Sequence, residues 1–312
     1  MARSVCFVVP LALLLSATAA SSFAWAAKCD LKQGLTPAQG RLGHCRFNAQ
    51  TRSFAGTPAQ QAACLTRQVR RLAHLGGETI TSSLKELAGT PAPPVPSVQS
   101  LLDKQQIKLD QVGGPLGQPI KANYFIIHDT STPNCSESGI AAATCPKRGE
   151  FPPNRDDANW PVNRNFGGHP KPAPHRLAHV FNNRVGDSVT EADFAQHLPT
   201  TKFETCADAN AKKALFVGIE NIQPRIGDPP IPKPGKKAND FDAPQPGFAA
   251  RQYERLALLY LVASARRGQW LIPAFHAVID QHYADGHDDP QNFDMAAFSS
   301  AVQKHVDALN SP

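Results

Sequence analysis

Apolar and polar positions alternate in blocks along this chain, and several blocks have the length and period of regular elements. A helical period of apolar residues over 248–267 ends at Gly268, and another helical period begins near Asp294. Short runs rich in β-branched and aromatic residues predict buried strands at residues 122–128, 177–181 and 215–222. Strands that alternate with long helices predict an α/β fold, with a mixed central β-sheet flanked by helices.

The segment before these strands has a helical pattern of its own. Thr57 and Pro58 begin a period of apolar positions that continues to Leu75 and ends at Gly76. A threonine cap, a proline in the first turn and a terminal glycine are typical of a helix, so we expect one helix here. Its basic face would be formed by Arg67, Arg70 and Arg71.

A proline-rich run at residues 91–96 cannot continue a helix and predicts a linker. A further short helix is expected after it, with Val98, Leu101, Leu102 and Ile107 as its apolar positions. These patterns predict a small helical N-terminal region over residues 27–112, followed by the main domain over residues 113–312.

The first 26 residues have the pattern of a cleavable signal peptide. Arg3 precedes an uncharged apolar core over residues 5–15, and small residues surround positions 24–26. The apolar core is shorter than the ~20 residues that span a bilayer, and no second apolar run is long enough. We therefore expect an exported protein, periplasmic or secreted, that begins near Ala27 and has no stable membrane insertion after cleavage.

The cysteines agree with an exported chain. Cys6 leaves with the signal peptide, and an even number remains: Cys29, Cys45, Cys64, Cys135, Cys145 and Cys206. An even count in an exported protein favours disulfide bonds, and Cys135 with Cys145 is the expected local pair. No Cys-x-x-Cys pair occurs in the sequence, so a cysteine-only zinc site has no support.

The formal net charge is +6 at pH 7. A basic exported protein is expected to meet the anionic polymers of the cell envelope rather than nucleic acid, although a solvated surface explains the charge equally well. Two long proline-rich segments, residues 145–174 and 226–246, are either substrate-lining loops or disordered. Three aromatic residues in the first segment favour an ordered, functional loop: Phe151, Trp160 and Phe166.

Candidate chemistry lies where apolar elements end or are interrupted. His128 ends the apolar run that begins at Tyr124, and a single histidine in that position is more often structural than a ligand. Glu220 interrupts the run over residues 215–222, and a buried carboxylate costs several kcal/mol unless it is paired or protonated. An edge strand that turns Glu220 to solvent is the alternative. His282 and the run 287–290 complete the set.

Two neutral histidines and a carboxylate form a three-ligand zinc site that leaves the fourth position for water. His128, His282 and Asp289 would supply these ligands, and Glu220 would act as the base that takes a proton from the water. The spacing alone does not select these residues, since no two of the ligands share a helical face.

The motifs resemble those of the zinc-dependent N-acetylmuramoyl-L-alanine amidases of the amidase type 2 and peptidoglycan-recognition family, over roughly residues 120–300. The similar segments are Phe-Ile-Ile-His-Asp-Thr at 125–130, Leu-Ala-His-Val-Phe at 177–181 and Gly-Ile-Glu at 218–220. Asn-Asn-Arg-Val-Gly at 182–186 resembles the family's turn after the second strand. An isoleucine-proline pair at 272–273, a later histidine and the Asp289-Pro290 pair complete the likeness.

This resemblance implies a zinc hydrolase with His128, His282 and Asp289 as metal ligands and Glu220 as the catalytic glutamate. The family commonly has a lysine two positions before the third ligand, where this chain has His287. A histidine there would stabilise the oxyanion and make activity more acid-dependent. Asp288 is a rival third ligand. His179, in the cluster with His169 and His175, is expected to line the cleft rather than to bind metal.

The sequence therefore predicts an exported zinc amidase that acts on peptidoglycan or on released muropeptides. A peptidoglycan-binding module without catalysis is the alternative from another class, and retention of the ligand types together with Glu220 favours the enzyme. A secreted antibacterial effector would use the same residues, and the sequence does not separate it from a housekeeping enzyme.

Overall fold

The computed structural model describes residues 45–70, 74–131, 178–206, 213–226, 242–283 and 286–310. The signal-like segment lies outside these ranges. The N-terminal region combines two small hairpins with three helices. Its elements are β1 (Phe47–Asn48), β2 (Ser53–Phe54), α1 (Pro58–Leu65), β3 (Arg67–Arg70), β4 (His74–Glu78), α2 (Ser82–Leu87) and α3 (Val95–Lys104).

The long helix expected from Thr57 to Leu75 is only half present. Thr57 caps α1 as predicted, but the helix ends at Leu65, and β3 then pairs antiparallel with β4. Thr66 ends the helix because its carbonyl accepts the backbone N–H of Thr79 at 3.0 Å, which turns the chain into a hairpin. Val69 alone is buried on β3, so the apolar positions that suggested a helix also fit a strand. The basic side chains of Arg67 and Arg70 therefore lie on a strand.

The proline-rich run is attached to the main sheet. The backbone N–H of Gly89 donates to the carbonyl of Trp270 at 2.9 Å, and the N–H of Trp270 donates to the carbonyl of Thr90 at 2.8 Å. Pro91 forms a β-bridge with Gln269. The expected short helix is confirmed as α3, which buries Val98, Leu101 and Leu102, but it begins at Val95, so the last two residues of the run form its first turn because a proline is tolerated there.

A five-stranded mixed sheet forms the centre of the fold, as the α/β prediction required. Its strands are β5 (Tyr124–Asp129), β6 (Val180–Asn182), β7 (Ser188–Thr190), β8 (Phe216–Asn221) and β9 (Ile272–Phe275), in the order β7-β6-β8-β5-β9. β6, β8, β5 and β9 run parallel, and β7 pairs antiparallel with β6 at one edge. The carboxyl ends of four strands therefore meet at one edge of the sheet, where α/β proteins place their sites.

Helices flank the sheet: α4 (Lys202–Thr205), α5 (Ala250–Arg267), α6 (His276–Ile279) and α7 (Met295–Asn310). α5 and α7 match the two predicted long helices. α5 ends at Gly268, whose φ of 81° is the left-handed conformation that favours glycine at this position. α5 is buried along most of its length, and Tyr260, Leu256 and Leu259 are fully covered.

One hydrophobic cluster joins the N-terminal region to the sheet. The Phe54 ring meets that of Tyr124 edge to face at 5.3 Å, and the Phe47 ring meets that of Phe203 at 5.1 Å. The buried Tyr124 hydroxyl accepts the backbone N–H of Phe54 at 2.9 Å and donates to Gln61 Oε1 at 2.8 Å. The first strand of the sheet is thus covered by residues that precede it by 60 to 80 positions.

A disulfide joins Cys45 to Cys64 in the N-terminal region, and Cys206 is also disulfide-bonded. The expected Cys135–Cys145 pair lies outside the described residues, as do residues 145–174 and most of residues 226–246. Within the described ranges, no helix combines the length and apolar composition needed to cross a membrane.

Candidate metal centre

Three neighbouring parallel strands deliver polar side chains to one edge of the sheet. His128 on β5 is directly opposite Glu220 on β8, so the two side chains lie on the same face. On the other side of β5, Ile127 is opposite Phe275, the last residue of β9. His276 follows Phe275 and therefore emerges beside His128. The ends of β8, β5 and β9 thus bring a carboxylate and two histidines together.

Asp289 completes the group from the loop after α6. Its Oδ1 and Oδ2 lie 2.9 and 3.1 Å from His276 Nδ1, and its Oδ2 lies 3.6 Å from His128 Nδ1. One ligand atom from each of His128, His276 and Asp289 lies within 4.8 Å of the others, and all three residues are buried. The loop is held in place because the N–H of Ala277 donates to the Asp289 carbonyl at 2.8 Å. This group could hold a metal ion.

Opposite charges meet in this group. Burial alone would lower the pKa of His276, but the carboxylates of Asp289 and Asp280 raise it well above its usual value. Burial would likewise raise the pKa of Asp289, yet His276 and His128 hold it well below its usual range. Burial and the neighbouring His276 lower the pKa of His128 to about 4. The carboxylates thus raise the pKa of one histidine while burial lowers that of the other, and both histidines direct Nδ1 toward the same carboxylate.

The outward nitrogens of both histidines have partners of their own. His276 Nε2 lies 2.8 Å from Asp280 Oδ2, and His128 Nε2 lies 3.3 Å from Thr200 Oγ1. Histidines that bind metals usually donate their second ring N–H to a fixed acceptor, which sets the tautomer and the ring orientation. The outward contacts of His128 and His276 meet this criterion.

Glu220 lies beside the group and is incompletely satisfied. Its Oε2 is buried and has no hydrogen-bond partner among the described residues. Burial and the negative charge of Asp289 raise the pKa of Glu220 well above its usual value. A buried carboxyl oxygen without a partner is costly, so its presence at a strand end next to possible metal ligands indicates a functional role.

His287 lies at the rim of the site. The side chain is 49% exposed, its Nδ1 is 3.8 Å from Asp289 Oδ1, and its ring centroid is 4.9 Å from that of His276. Partial burial and the positive charge of His276 lower the pKa of His287. An imidazole in this position faces both solvent and the group, as a residue that contacts a substrate must.

Asp288 points away from the metal group. Its Oδ2 accepts the side-chain N–H of Gln291 at 2.7 Å, and its Oδ1 lies 3.9 Å from Arg225 Nη2. Arg225 is fully buried and binds Asp129 at 2.6 Å. Arg225 thus joins the end of β5 to the loop that carries Asp289, and of the two neighbouring aspartates it is Asp289 that lies in the group.

The group of His128, His276 and Asp289 does not include His282, which the sequence analysis expected as a ligand. The residue lies in the turn after α6, and His276 takes the place assigned to it. The physical reason is the register of β5 and β9: Ile127 is paired with Phe275, so His276, which follows β9, lies level with His128 in β5. In the sequence His276 is a single polar position inside an apolar run that continues to Ile279, whereas His128 is followed by polar residues.

His179 is buried rather than exposed in a cleft. Its Nδ1 accepts the backbone N–H of Gly218 at 3.1 Å, and its Nε2 donates to the carbonyl of Gln196 at 3.2 Å. Burial lowers the pKa of His179 to about 4, so the ring is neutral. Both nitrogens are used by the backbone, so this histidine has a structural role. His169 and His175 lie outside the described residues.

Comparisons with protein-family models, with curated proteins and with solved structures found no match.

Proposed function

We propose that this protein is a zinc-dependent amidase that cleaves the bond between N-acetylmuramic acid and L-alanine in peptidoglycan. The observation that carries the proposal is the meeting of His128, His276 and Asp289 at the carboxyl ends of the strands, with a buried oxygen of Glu220 beside them. A hydrolytic zinc site needs three protein ligands and a nearby general base, and these four residues supply both.

The ligand atoms favour zinc among the common metals. Two imidazole nitrogens and one carboxylate oxygen are borderline ligands that suit zinc, whereas calcium and magnesium prefer oxygen ligands alone. Zinc held by His128, His276 and Asp289 would supply Lewis acidity, which makes water a strong nucleophile at neutral pH and polarises a carbonyl group.

Glu220 would carry the proton through the reaction. A general base takes a proton from the attacking water and returns it to the leaving amine, so its pKa must be close to the working pH. Burial and Asp289 move the pKa of Glu220 upward from that of an ordinary glutamate. The position of Glu220 opposite His128 on the neighbouring strand places its side chain on the same face of the sheet as the proposed metal ligands, where it would take the proton of the attacking water.

His287 would bind the oxygen of the scissile carbonyl as negative charge develops on it. The imidazole is exposed on the substrate side and contacts the His276 ring on the other. One ring N–H is present even in the neutral form, and protonation adds a second donor together with a positive charge. The oxyanion is therefore stabilised more strongly as the pH falls.

The substrate assignment has two supports in the sequence. The segments at 125–130 and 218–220 are similar to motifs of the amidase family named above, and they carry His128 and Glu220. The signal-like N-terminus and the net charge of +6 suit a protein that meets the cell wall outside the cytoplasm.

The test is the release of peptides that begin with L-alanine from purified peptidoglycan, measured together with zinc content. We expect zinc-loaded wild type to release them and Glu220→Gln to lose about 10²–10⁴-fold in rate while it keeps its zinc. Glu254→Gln, an exposed glutamate that pairs with Lys304, is the matched control and should behave as wild type. Full activity of Glu220→Gln would remove the assigned base, and zinc without release by wild type would indicate a binding module.

A further inference from the structure

Each histidine of the metal group has one ring nitrogen that points away from Asp289, and the same short segment supports both of these nitrogens. Each directs Nδ1 toward Asp289 and Nε2 away from it, and both outward contacts lead to residues 200–204, where α4 begins. α4 itself has only four residues. The backbone N–H groups at the start of α4 donate to two carboxyl side chains, those of Asp280 and Glu204.

Asp280 is the contact on the His276 side. Its Oδ2 lies 2.8 Å from His276 Nε2 and accepts the backbone N–H of Lys202 at 2.8 Å. Its Oδ1 accepts the backbone N–H of Phe203 at 2.9 Å. Asp280 is fully buried, so one carboxylate fixes the ring of a ligand against the start of α4.

Thr200 is the contact on the His128 side. Its Oγ1 lies 3.3 Å from His128 Nε2 and 3.4 Å from Glu204 Oε2. If His128 uses Nδ1 as the ligand atom, Nε2 carries the proton and donates to Thr200, and the hydroxyl then donates to Glu204. Glu204 Oε2 also accepts the backbone N–H of Thr200 at 2.8 Å, which fixes the position of Thr200.

Gly218 provides the space for this arrangement. A Cβ atom at Gly218 would collide with the side chain of Thr200. The glycine of the Gly-Ile-Glu motif therefore allows Thr200 to reach His128 across β8, while the glutamate of the same motif lies beside the metal group. The close approach gives this glycine a role connected with the site.

We propose that residues 200–204 form a shared anchor for the metal site, in which Thr200 and Asp280 are positioning residues that orient His128 and His276 for metal binding. The inference rests on the metal-binding part of the proposed function and not on the substrate. Capping of α4 does not explain Thr200, because Thr201 is the cap residue and accepts the backbone N–H of Glu204 at 3.2 Å. The Thr200 hydroxyl contacts His128 instead.

The test measures zinc affinity by competition with a chromophoric chelator, at one pH, on the full chain. Thr200→Val keeps the shape of the side chain and removes the hydroxyl, and we expect it to weaken zinc binding about 10–100-fold. Thr200→Ser restores the hydroxyl and should recover most of the affinity. Thr205→Val is the matched control, because it removes a hydroxyl at the end of α4, outside the anchor, that donates to the Lys202 carbonyl and contacts no histidine.

Asp280→Asn tests the other side of the anchor. An asparagine offers one acceptor oxygen where the carboxylate uses two, so His276 or α4 loses a hydrogen bond and zinc affinity should again fall about 10–100-fold. If the anchor is shared, the losses of Thr200→Val and Asp280→Asn should not add in the double variant. Cobalt substitution gives a further readout, since a reoriented histidine should alter the visible spectrum of the bound cobalt.

The outcomes separate this inference from the proposed function. Wild type that binds zinc, with Thr200→Val within about twofold of it or with Thr200→Ser as weak as Thr200→Val, overturns the anchor and leaves the metal site standing. Fully additive losses overturn the shared character of the anchor. Wild type that binds no zinc overturns the site and the anchor together. If Thr200→Val does not fold, Thr200→Ala removes the hydroxyl instead, and its zinc affinity is compared with those of Thr200→Ser and Thr205→Val in the same way.

Discussion

Two sets of buried histidines lie along the same sheet, and they differ in what their ring nitrogens contact. At His179 both nitrogens are satisfied by the backbone of Gly218 and Gln196. At His128 and His276 one nitrogen of each ring turns inward to the single carboxylate of Asp289. His179 therefore has no ring nitrogen left to bind a metal ion. His128 and His276 each direct one ring nitrogen to the same place, where a metal ion could bind both.

Burial and a lowered pKa do not separate His128 from His179. Burial lowers the pKa of His128 and of His179 to about 4 in both cases. Only the partners differ, and beside His128 the carboxyl oxygen of Glu220 is buried with no partner among the described residues. The convergence of ring nitrogens on one buried carboxylate, rather than burial or a lowered pKa, marks the candidate site in this molecule.

The largest expected effect separates His276 from His282. His276→Ala removes a ligand, so zinc affinity should fall by more than the ~10–100-fold that follows loss of a supporting partner, and activity should be lost with it. His282→Ala is the matched control in the next turn and should keep full zinc stoichiometry. Zinc content and competition titrations check both variants. Retention of zinc by His276→Ala and its loss by His282→Ala would restore the ligand set inferred from the sequence.

A smaller effect is expected from His179, and on stability rather than on the site. His179→Ala leaves the N–H of Gly218 and the carbonyl of Gln196 without their partner and opens a cavity, which should lower the free energy of unfolding by about 2–4 kcal/mol. Denaturant unfolding at pH 7.5 measures this loss. Zinc stoichiometry should be unchanged, and a variant that folds but cannot bind zinc would contradict the structural role.

Wild type and His179→Ala should also differ in how their free energy of unfolding depends on pH, and the pKa of His179 fixes the sign of that difference. The pKa of His179 falls from 6.5 to about 4 on folding, so between these values the unfolded chain binds a proton that the folded chain does not. Stability therefore rises with pH across this window. The advantage of wild type over His179→Ala should be complete above pH 6.5 and should shrink as the pH falls toward 4. A constant difference would show that the ring is not neutral in the fold.

The smallest expected effect concerns His287. His287→Ala should lower kcat roughly 10-fold with little change in KM, which is below the ~10²–10³-fold typical of a fully preorganised donor because this side chain is half exposed. His287→Lys should keep activity to higher pH, since a lysine stays protonated where the pKa of His287 is lowered. Identical pH profiles for wild type and His287→Lys would exclude a role for the charge at this position.

The strands β5, β6 and β8 and the long helices could be predicted from the sequence because their periods are clear, whereas the short strands β7 and β9 were not predicted. His128 and Glu220 stood out as polar residues at the end of, or within, apolar runs. His276 could not be chosen with the same ease. Its position beside His128 depends on the register between β5 and β9, and strands that are more than 140 residues apart in sequence do not reveal their register. The resemblance directed attention to His282 instead.

The hairpin after α1 was missed for a different reason. Leu65, Val69 and Leu72 are spaced as on one face of a helix, and the same Val69 suits a strand between exposed Gln68 and Arg70. The contact that decides between them joins Thr66 to Thr79, and it forms only once β4 is in place. Local propensity was overridden by a contact that depends on the fold.

The N-terminal region packs over β5, and this packing limits which fragments of the chain could keep the candidate site intact. Phe47 contacts Phe203, whose backbone N–H is one of the donors to Asp280, and Phe54 and Gln61 hold the buried hydroxyl of Tyr124. A fragment cut before residue 113 would expose this aromatic surface to water directly beneath α4. The smallest piece of this chain that could be grafted elsewhere with its chemistry intact therefore includes the disulfide-bonded hairpin and α1 as well as the sheet.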